Sequence, residues 1–324
     1  MRAVICHELG PPSLLTVEER ETPTPAPGQV LVAVEAAGVN FVDALFVAGQ
    51  YQIKPALPFT PGSEVAGRVA AVGDAVEGFT IGQRVMASTG LGGYSSHALV
   101  PELALSALPE LLDAPRAATF TQSFSTSLFA LRERAHAAPG QSVLVLGAGG
   151  GVGLAAIAVA RALGCRVLGA ASSEAKRTAA LEAGAEAVMD PASESIKDRA
   201  RQWAGGTGLD IVVDPIGGPA AEQALRALGD GGRYLVIGFA SGSIPAVPLN
   251  QVLLRNRTVL GIDWGIWSLQ HPNDQMALVT DLLALVSAGS IEPVHPATYP
   301  LDQVSVALDD LLARRVVGKV ALIP

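Results

Sequence analysis

Cysteine is nearly absent from this chain of 324 residues, which contains only Cys6 and Cys165. Two thiols cannot build the disulfide framework of a small secreted protein, and they cannot supply a structural zinc site with four Cys or His ligands. None of the five histidines stands at metal-ligand spacing from a second donor. The sequence therefore predicts no metal site and a reducing compartment, the cytoplasm.

Charge is also scarce: 16% of the residues are charged, and the formal net charge is −8. A surface of that sign is a poor partner for nucleic acid or anionic lipid. Residues 143–160 carry no charge and could span a bilayer, but the glycines within 147–153 favour a strand, a tight turn and a helix instead. With no signal peptide visible, we expect neither a membrane nor a nucleic-acid partner.

The pattern of the chain changes near residue 120. Before it, short strand-like runs alternate with Pro- and Gly-rich turns, and Val76 and Phe79 are predicted to be buried. After it, continuous apolar strands alternate with helices, which is typical of a parallel sheet covered on both faces. The predicted strands are 143–146, 166–170, 187–189, 210–213, 233–238 and 257–263. Helices at 273–288 and 301–314 and a strand at 319–323 are predicted to follow.

A glycine-rich turn follows the first of these strands. Residues 144–153 read L-V-L-G-A-G-G-G-V-G, which gives A-x-G-x-x-G with an alanine at the usual first glycine. Glycines let the backbone approach a pyrophosphate, which the N–H groups of the following helix can bind. The sequence therefore predicts an α/β Rossmann fold, a doubly wound parallel sheet of six strands. Its predicted pyrophosphate-binding residues are Ala148, Gly150, Gly151, Val152 and Gly153.

The end of the second strand indicates which dinucleotide binds. Enzymes that use NAD place an acid there for the ribose hydroxyl, but this chain has Ser172 with Lys176 and Arg177 close behind. A hydroxyl and two cations match a 2′-phosphate, so we predict NADPH rather than NADH. The alternative is that the two cations lie on a solvated helix face.

Two motifs in the first part of the chain indicate a family. Residues 36–43 read A-A-G-V-N-F-V-D, and residues 61–67 read P-G-S-E-V-A-G. They resemble the G-x-C-x-x-D and G-H-E-x-x-G signatures of the medium-chain dehydrogenase/reductase superfamily, with Asn40 and Ser63 at the positions of two zinc ligands. An amide and a hydroxyl are poor zinc donors. The chain is therefore identified as a member of the zinc-free, zeta-crystallin-like quinone oxidoreductase branch.

This resemblance implies a GroES-like, partly open β-barrel domain over residues 1–122 and 267–324, and a Rossmann NADP-binding domain over 123–266. It also implies a homodimer paired through the edge of the sixth strand. Further cofactor contacts are implied at Thr126, Ile216, Gly238, Phe239 and Lys319.

Without a metal, nothing lowers the pKa of an alcohol, so reduction of an electrophilic acceptor is the easier reaction. A quinone or an activated alkene takes a hydride at carbon while negative charge develops on oxygen. Asn40 and Tyr51 could donate hydrogen bonds to that oxygen, and Asp43 is a third catalytic candidate. Each has a structural alternative: Asn40 could hold a turn, Asp43 could be an acceptor within the motif, and Tyr51 could cover the cleft.

The sequence thus predicts a zinc-independent enzyme that uses NADPH to reduce a small quinone or activated alkene. One alternative is an enoyl-thioester or alkenal reductase with the same hydride chemistry. The other belongs to a different class, a crystallin-like protein that binds NADPH with little turnover. A zinc alcohol dehydrogenase would require a stoichiometric metal.

Overall fold

A computed structural model describes every residue from Met1 to Pro324. The chain forms two compact units. The first comprises Met1–Gln122, Pro272–Leu283 and His295–Pro324, and the second comprises Ser123–His271 and Ala284–Val294. The predicted domains differ from these units in placing residues 267–271 and 284–294 with the first. The assignment of a catalytic and a cofactor-binding domain stays a prediction.

Fifteen strands and eleven α-helices are numbered here in chain order. The strands are β1 Arg2–Ile5, β2 Thr16–Glu19, β3 Gln29–Val39, β4 Glu64–Val72, β5 Arg84–Ser88, β6 His97–Pro101, β7 Leu105–Ala107, β8 Ser142–Leu146, β9 Arg166–Ala170, β10 Ala187–Met189, β11 Leu209–Asp214, β12 Leu228–Val236, β13 Thr258–Gly261, β14 Ala297–Pro300 and β15 Val320–Ile323.

The helices vary from five to sixteen residues. They are α1 Phe41–Val47, α2 Ala114–Ala118, α3 Thr121–Leu128, α4 Gly151–Ala162, α5 Glu174–Glu182, α6 Ile196–Trp203, α7 Ala220–Ala227, α8 Leu249–Leu253, α9 Trp264–Gln270, α10 Pro272–Ser287 and α11 Val304–Leu312. Short 3-10 turns lie at Pro12–Leu14, Glu102–Ala104 and Leu301–Gln303, and a π-helical segment at Phe129–Arg134.

The second unit is built on a six-stranded parallel sheet in the order β10-β9-β8-β11-β12-β13. In chain order of these strands this is 3-2-1-4-5-6, the doubly wound arrangement, and the predicted fold class is confirmed. Strand β8 is fully buried, and residues 143–146 of it are a continuous apolar run, as expected for a strand covered on both faces. Helices α4 to α7 pack against the strands. No helix of the chain is both long and apolar enough to cross a bilayer.

The first unit contains a sheet in the order β14-β15-β3-β4-β5-β7, with β6 also paired to β3. Only the β14–β15 pair is parallel. The long strand β3 carries most of the pairing, and its apolar residues enter the core of the unit. Strands β1 and β2 form a separate antiparallel pair. Val76 and Phe79, which were expected to be buried, are half-buried and pack on the outside of this core.

Several predicted boundaries shift. Strand β12 begins at Leu228 rather than at residue 233, and the predicted helix 301–314 is a 3-10 turn followed by α11. The last strand begins at Val320, so Lys319 lies just before it. This shift matters because it places the Lys319 side chain at a strand end in the first unit.

Candidate active site

Three neighbouring strands of the first unit bring together the polar residues of the candidate site. Strand β3 ends at Val39, directly before Asn40, and its partner β4 begins at Glu64. On the other side of β3, Val320 of β15 pairs with Val39, so Lys319 ends beside Asn40. Antiparallel pairing thus gathers residues that are far apart in the sequence at one end of the sheet.

The side chain of Asn40 is the centre of a closed polar cluster. Its amide nitrogen donates to Glu64 Oε1 at 2.9 Å and to Ser63 Oγ at 3.2 Å, and its carbonyl oxygen accepts from the Lys319 ammonium. Ser63 in turn donates to Gln122 Oε1 at 3.0 Å. We call Asn40, Ser63, Glu64, Gln122 and Lys319 the Asn40 cluster.

Glu64 supplies the negative charge of the Asn40 cluster. Its Oε1 lies 3.1 Å from the Lys319 ammonium, and its Oε2 accepts from the backbone N–H of Gln122 at 3.0 Å. The Glu64 residue is 1% exposed, so its carboxylate depends on these donors. Gly38, paired with Glu64 across β3 and β4, makes room, because a Cβ there would lie 2.9 Å from Glu64 Oε1 and 2.0 Å from the Ala118 carbonyl oxygen.

The hydrogen-bond partners determine the orientation of the Asn40 side-chain amide. A lysine ammonium has no acceptor, so it must face the amide oxygen, and an ionised carboxylate has no donor, so it must face the amide nitrogen. Both amide hydrogens of Asn40 are therefore used inside the Asn40 cluster.

Asp43 and Tyr94 form a second buried hydrogen-bonded pair beside the Asn40 cluster. Its Oδ2 accepts from the Asn40 backbone N–H at 2.8 Å and from the Tyr94 hydroxyl at 2.8 Å, while its Oδ1 has no hydrogen-bond partner. Burial raises the pKa of Asp43 to about 6, although these donors and Lys319 act in the opposite direction. Burial and the neighbouring Asp43 charge raise the pKa of Tyr94 well above its usual value.

Tyr51, the third predicted catalytic residue, is half-buried, and its ring lies 4.7 Å from that of Phe46. Its role stays a prediction.

The side chains at the signature positions do not fit a metal. No group of three or more His, Cys, Asp or Glu side chains anywhere in the chain could hold an ion. At the Asn40 cluster the donors are an amide, a hydroxyl and one carboxylate that is already paired with an ammonium. An ammonium and a divalent cation would compete for the same Glu64 oxygen.

The glycine turn of the second unit has the geometry expected of a pyrophosphate cradle. Gly150 caps α4 with φ −91° and ψ 170°, and no acidic residue lies in the first turn. The first N–H groups of the helix have no partner within it, and they carry partial positive charge. A Cβ at Gly153 would lie 2.2 Å from the Gly147 carbonyl oxygen, so this glycine lets the helix approach the turn. Ala148 is fully buried, and its backbone N–H donates to the Ala170 carbonyl.

The candidate 2′-phosphate residues lie next to this turn. A Cβ at Gly149 would meet Lys176 Cβ at 2.3 Å, so the Lys176 stem lies directly against the turn. Ser172 is exposed. Arg177 donates to the Ala171 carbonyl at 3.0 Å and lies 3.2 Å from Asp190 Oδ2, an ion pair that sequence reasoning missed. Arg177 therefore has structural partners besides any phosphate.

The turn after β11 is held by a buried carboxylate. Asp214 Oδ1 accepts from the backbone N–H groups of Ile216 and Gly217, both at 2.8 Å, and Oδ2 accepts from the Tyr234 hydroxyl. Burial raises the pKa of Tyr234 above its ordinary range. No sequence signal marks Tyr234, since tyrosine is ordinary in a strand.

The predicted nicotinamide residues follow the same strand ends. A Cβ at Gly147 would meet Ile216 Cδ1 at 2.5 Å, and one at Gly217 would meet Phe239 Cδ1 at 2.8 Å, so the turns after β8, β11 and β12 pack on each other. Phe239 is 37% exposed. Gly238 belongs to the same turn, and Thr126 is buried in α3. Lys319 belongs to the first unit, where its ammonium donates to Asn40 and Glu64.

Comparisons with known proteins cover nearly the whole chain. Residues 26–110 match the alcohol dehydrogenase GroES-like domain, and residues 151–282 match the zinc-binding dehydrogenase family. A quinone oxidoreductase-like protein 2 homologue of Nematostella vectensis is 37% identical over 325 residues, which is 99% of this chain and 88% of that protein.

Comparison with solved structures shows the same fold. The Escherichia coli quinone oxidoreductase complexed with NADPH superposes with a TM-score of 0.91 at 28% identity, covering all of both chains. A mycobacterial protein complexed with NADPH gives a TM-score of 0.92 at 30% identity, also over all of both chains. The predicted Rossmann and GroES-like fold is confirmed, and the chain belongs to the quinone oxidoreductase family of the medium-chain dehydrogenase/reductase superfamily.

Proposed function

We propose that this protein uses NADPH to reduce a small quinone or activated alkene without a metal ion. The observation that carries the proposal is the Asn40 cluster, in which the Lys319 ammonium pairs with Glu64 where a zinc dehydrogenase would place its ligands. An alcohol cannot be activated there by a Lewis acid, whereas an electrophilic acceptor needs only hydrogen-bond donors.

A bound nicotinamide cofactor would supply the hydride. The N–H groups at Gly151 to Gly153 would bind its pyrophosphate, and Ser172, Lys176 and Arg177 would bind the 2′-phosphate. Thr126, Ile216, Gly238 and Phe239 are proposed to hold the nicotinamide end. The NADPH complexes of the two structural relatives support this choice of dinucleotide.

The two compact units would then be the catalytic and the NADP-binding domain, and the protein would work as a homodimer. Both cysteines are free and buried, in keeping with the reducing cytoplasm expected from the sequence.

Oxidation of NADPH and NADH, followed by the loss of their absorbance, tests the proposal with 1,4-benzoquinone, a naphthoquinone, an alkenal and an enoyl-CoA, each with and without EDTA. We expect chelator-insensitive turnover with NADPH and a quinone, and no stoichiometric zinc in the purified protein. Turnover of the enoyl-CoA or the alkenal but of neither quinone would select the enoyl-thioester or alkenal reductase. Saturable NADPH binding with no acceptor reduced would select the non-catalytic alternative.

A further inference from the structure

We propose that Lys319 is the catalytic hydrogen-bond donor of this site and that Asn40 and Glu64 position it. The Lys319 ammonium would bind the acceptor's oxygen, on which negative charge develops, although Asn40 and Tyr51 are the donors predicted from the sequence and the family resemblance places Lys319 at the cofactor. This inference rests on the proposed function, which supplies the hydride and the acceptor.

A count of donors in the Asn40 cluster carries the argument. The amide nitrogen of Asn40 has two hydrogens, which go to Ser63 Oγ and Glu64 Oε1. The single hydroxyl hydrogen of Ser63 goes to Gln122 Oε1. Neither side chain can donate to a substrate unless it first gives up a buried hydrogen bond, which is unfavourable.

Lys319 differs from both. Its ammonium carries three hydrogens, of which two are directed to Asn40 Oδ1 and Glu64 Oε1. One hydrogen remains for a ligand. Lys319 is also the more accessible partner of the ion pair, since its side chain is 13% exposed and that of Glu64 is 2% exposed. The ammonium therefore has a spare donor, and it belongs to the less buried side chain of the ion pair.

Hydride transfer to the acceptor requires a charged hydrogen-bond donor of this kind. When hydride adds to a carbon of the conjugated acceptor, the π bond at that carbon breaks and its electron pair moves through the conjugated system to the oxygen. The Lys319 ammonium would donate a hydrogen bond to this oxyanion. With an activated alkene, a proton from water then adds to the carbon next to the carbonyl and gives the saturated product. With a quinone, a proton from water adds to the oxyanion, and the carbon that received the hydride then loses a proton while the second carbonyl oxygen gains one, which gives the hydroquinone. A charge-assisted bond stabilises the oxyanion more than a neutral donor does. Glu64 and Asn40 keep the ammonium in place throughout.

The main test replaces Lys319 by methionine, which has a similar length and no donor. With NADPH and the quinone at saturation, we expect Lys319→Met to lower kcat by about 100- to 1000-fold, the usual effect of losing an oxyanion donor. The dissociation constant for NADPH, measured by fluorescence without an acceptor, should be unchanged. Lys197→Met, at a lysine of α6 whose side chain is 41% exposed, is the matched control and should leave both quantities unchanged.

The opposite pattern would overturn the proposal. If Lys319 binds the cofactor instead, Lys319→Met will weaken NADPH binding while kcat at saturating NADPH stays near that of the wild type.

A second variant separates catalysis from folding, because Lys319→Met leaves the Glu64 charge buried without its cation. In Lys319→Met/Glu64→Gln both charges of the Glu64–Lys319 pair are removed, so the melting temperature should recover while kcat stays low. Recovery of kcat together with stability would show that Lys319 only balances charge, and would refute its catalytic role. If the wild-type protein reduces no acceptor, the proposed function fails and this inference with it. If the wild type is active and Lys319→Met is equally active, only this inference fails.

Discussion

At the scale of single residues, the buried Asp43 couples the protein's stability to pH. The carboxyl group is fully buried, and one of its oxygens lacks a hydrogen-bond partner. Its pKa is raised to about 6, so between pH 4 and pH 6 the folded protein binds a proton that the unfolded chain has released. The folded state is therefore favoured as the pH falls through this window, and the contribution is lost as the pH rises through 6.

Asp43→Asn should remove this dependence. A shift from 3.8 to about 6 corresponds to about 3 kcal/mol of unfolding free energy, present below pH 4 and absent well above pH 6. The difference in unfolding free energy between the variant and the wild type, from urea titrations across this range, should therefore change in the variant's favour as the pH rises.

Other carboxyl groups titrate in the same range, so only the difference between the two proteins is informative. Asp74→Asn, at an exposed aspartate of the same unit, is the control and should give a flat difference. A flat difference for Asp43→Asn as well would show that burial does not raise the pKa of Asp43 in the folded protein.

At the scale of elements, Gly150, directly before α4, and Gly153, in the first turn of this helix, have separate roles. A Cβ at Gly150 would meet only the Gly147 carbonyl oxygen, at 3.4 Å, and its backbone angles suit any residue. A Cβ at Gly153 would lie 2.2 Å from that oxygen and 2.9 Å from Ala148 Cα. The space around Gly150 remains available to a ligand, whereas Gly153 is required by the packing of the helix on the turn.

Alanine substitution should distinguish the two tasks. Gly150→Ala should keep the melting temperature within a few degrees and weaken NADPH binding on the order of tenfold, because the new methyl group stands where the pyrophosphate approaches. Gly153→Ala should lower the unfolding free energy by about 1–3 kcal/mol through overpacking, as well as weaken binding. Calorimetry of the apo variants and NADPH titrations provide the two measurements. Equal stability losses in both variants would contradict this separation.

The elements of the second unit were largely predictable because each parallel strand is a short continuous apolar run. Val143 to Leu146 of β8 and Ile211 to Val213 of β11 are buried, so their composition alone marks them as strands covered on both faces. Strand β12 was predicted to begin five residues late, because Gly229, Gly231 and Gly232 at its start have no apolar signal. In the structure Leu228 pairs with Leu209 of β11, and the register then shifts before Arg233 pairs with Ile211.

The Asn40 cluster was only partly predictable. The motifs marked Asn40, Ser63 and Asp43, because those residues stand at signature positions. Lys319 is 279 residues from Asn40 and 255 from Glu64, and only the β15–β3–β4 pairing brings the three together. Tyr94, which holds Asp43, carries no local signal because its role depends on a hydroxyl that reaches a carboxylate 51 residues away.

At the scale of the whole molecule, an open sheet edge has to be accommodated. Strand β13 is the last strand of the parallel sheet, and Thr258, Val259 and Gly261 are exposed. The preceding helix α8 exposes Leu249 and Leu253 by 78% and 77%. An unpaired edge flanked by exposed leucines favours association, and a two-fold axis would let β13 of one copy pair with β13 of another.

Light scattering at micromolar concentration should accordingly give a mass twice the 33.1 kDa of the chain. Val259→Lys should shift this mass toward that of the monomer, because a lysine at the edge would bring two like charges together across the axis. Val306→Lys, at a 50% exposed valine of α11 in the first unit, is the matched control and should remain dimeric. If the wild type has the monomer mass, the β13 edge is tolerated in water, and the short length of this strand would be its protection against aggregation.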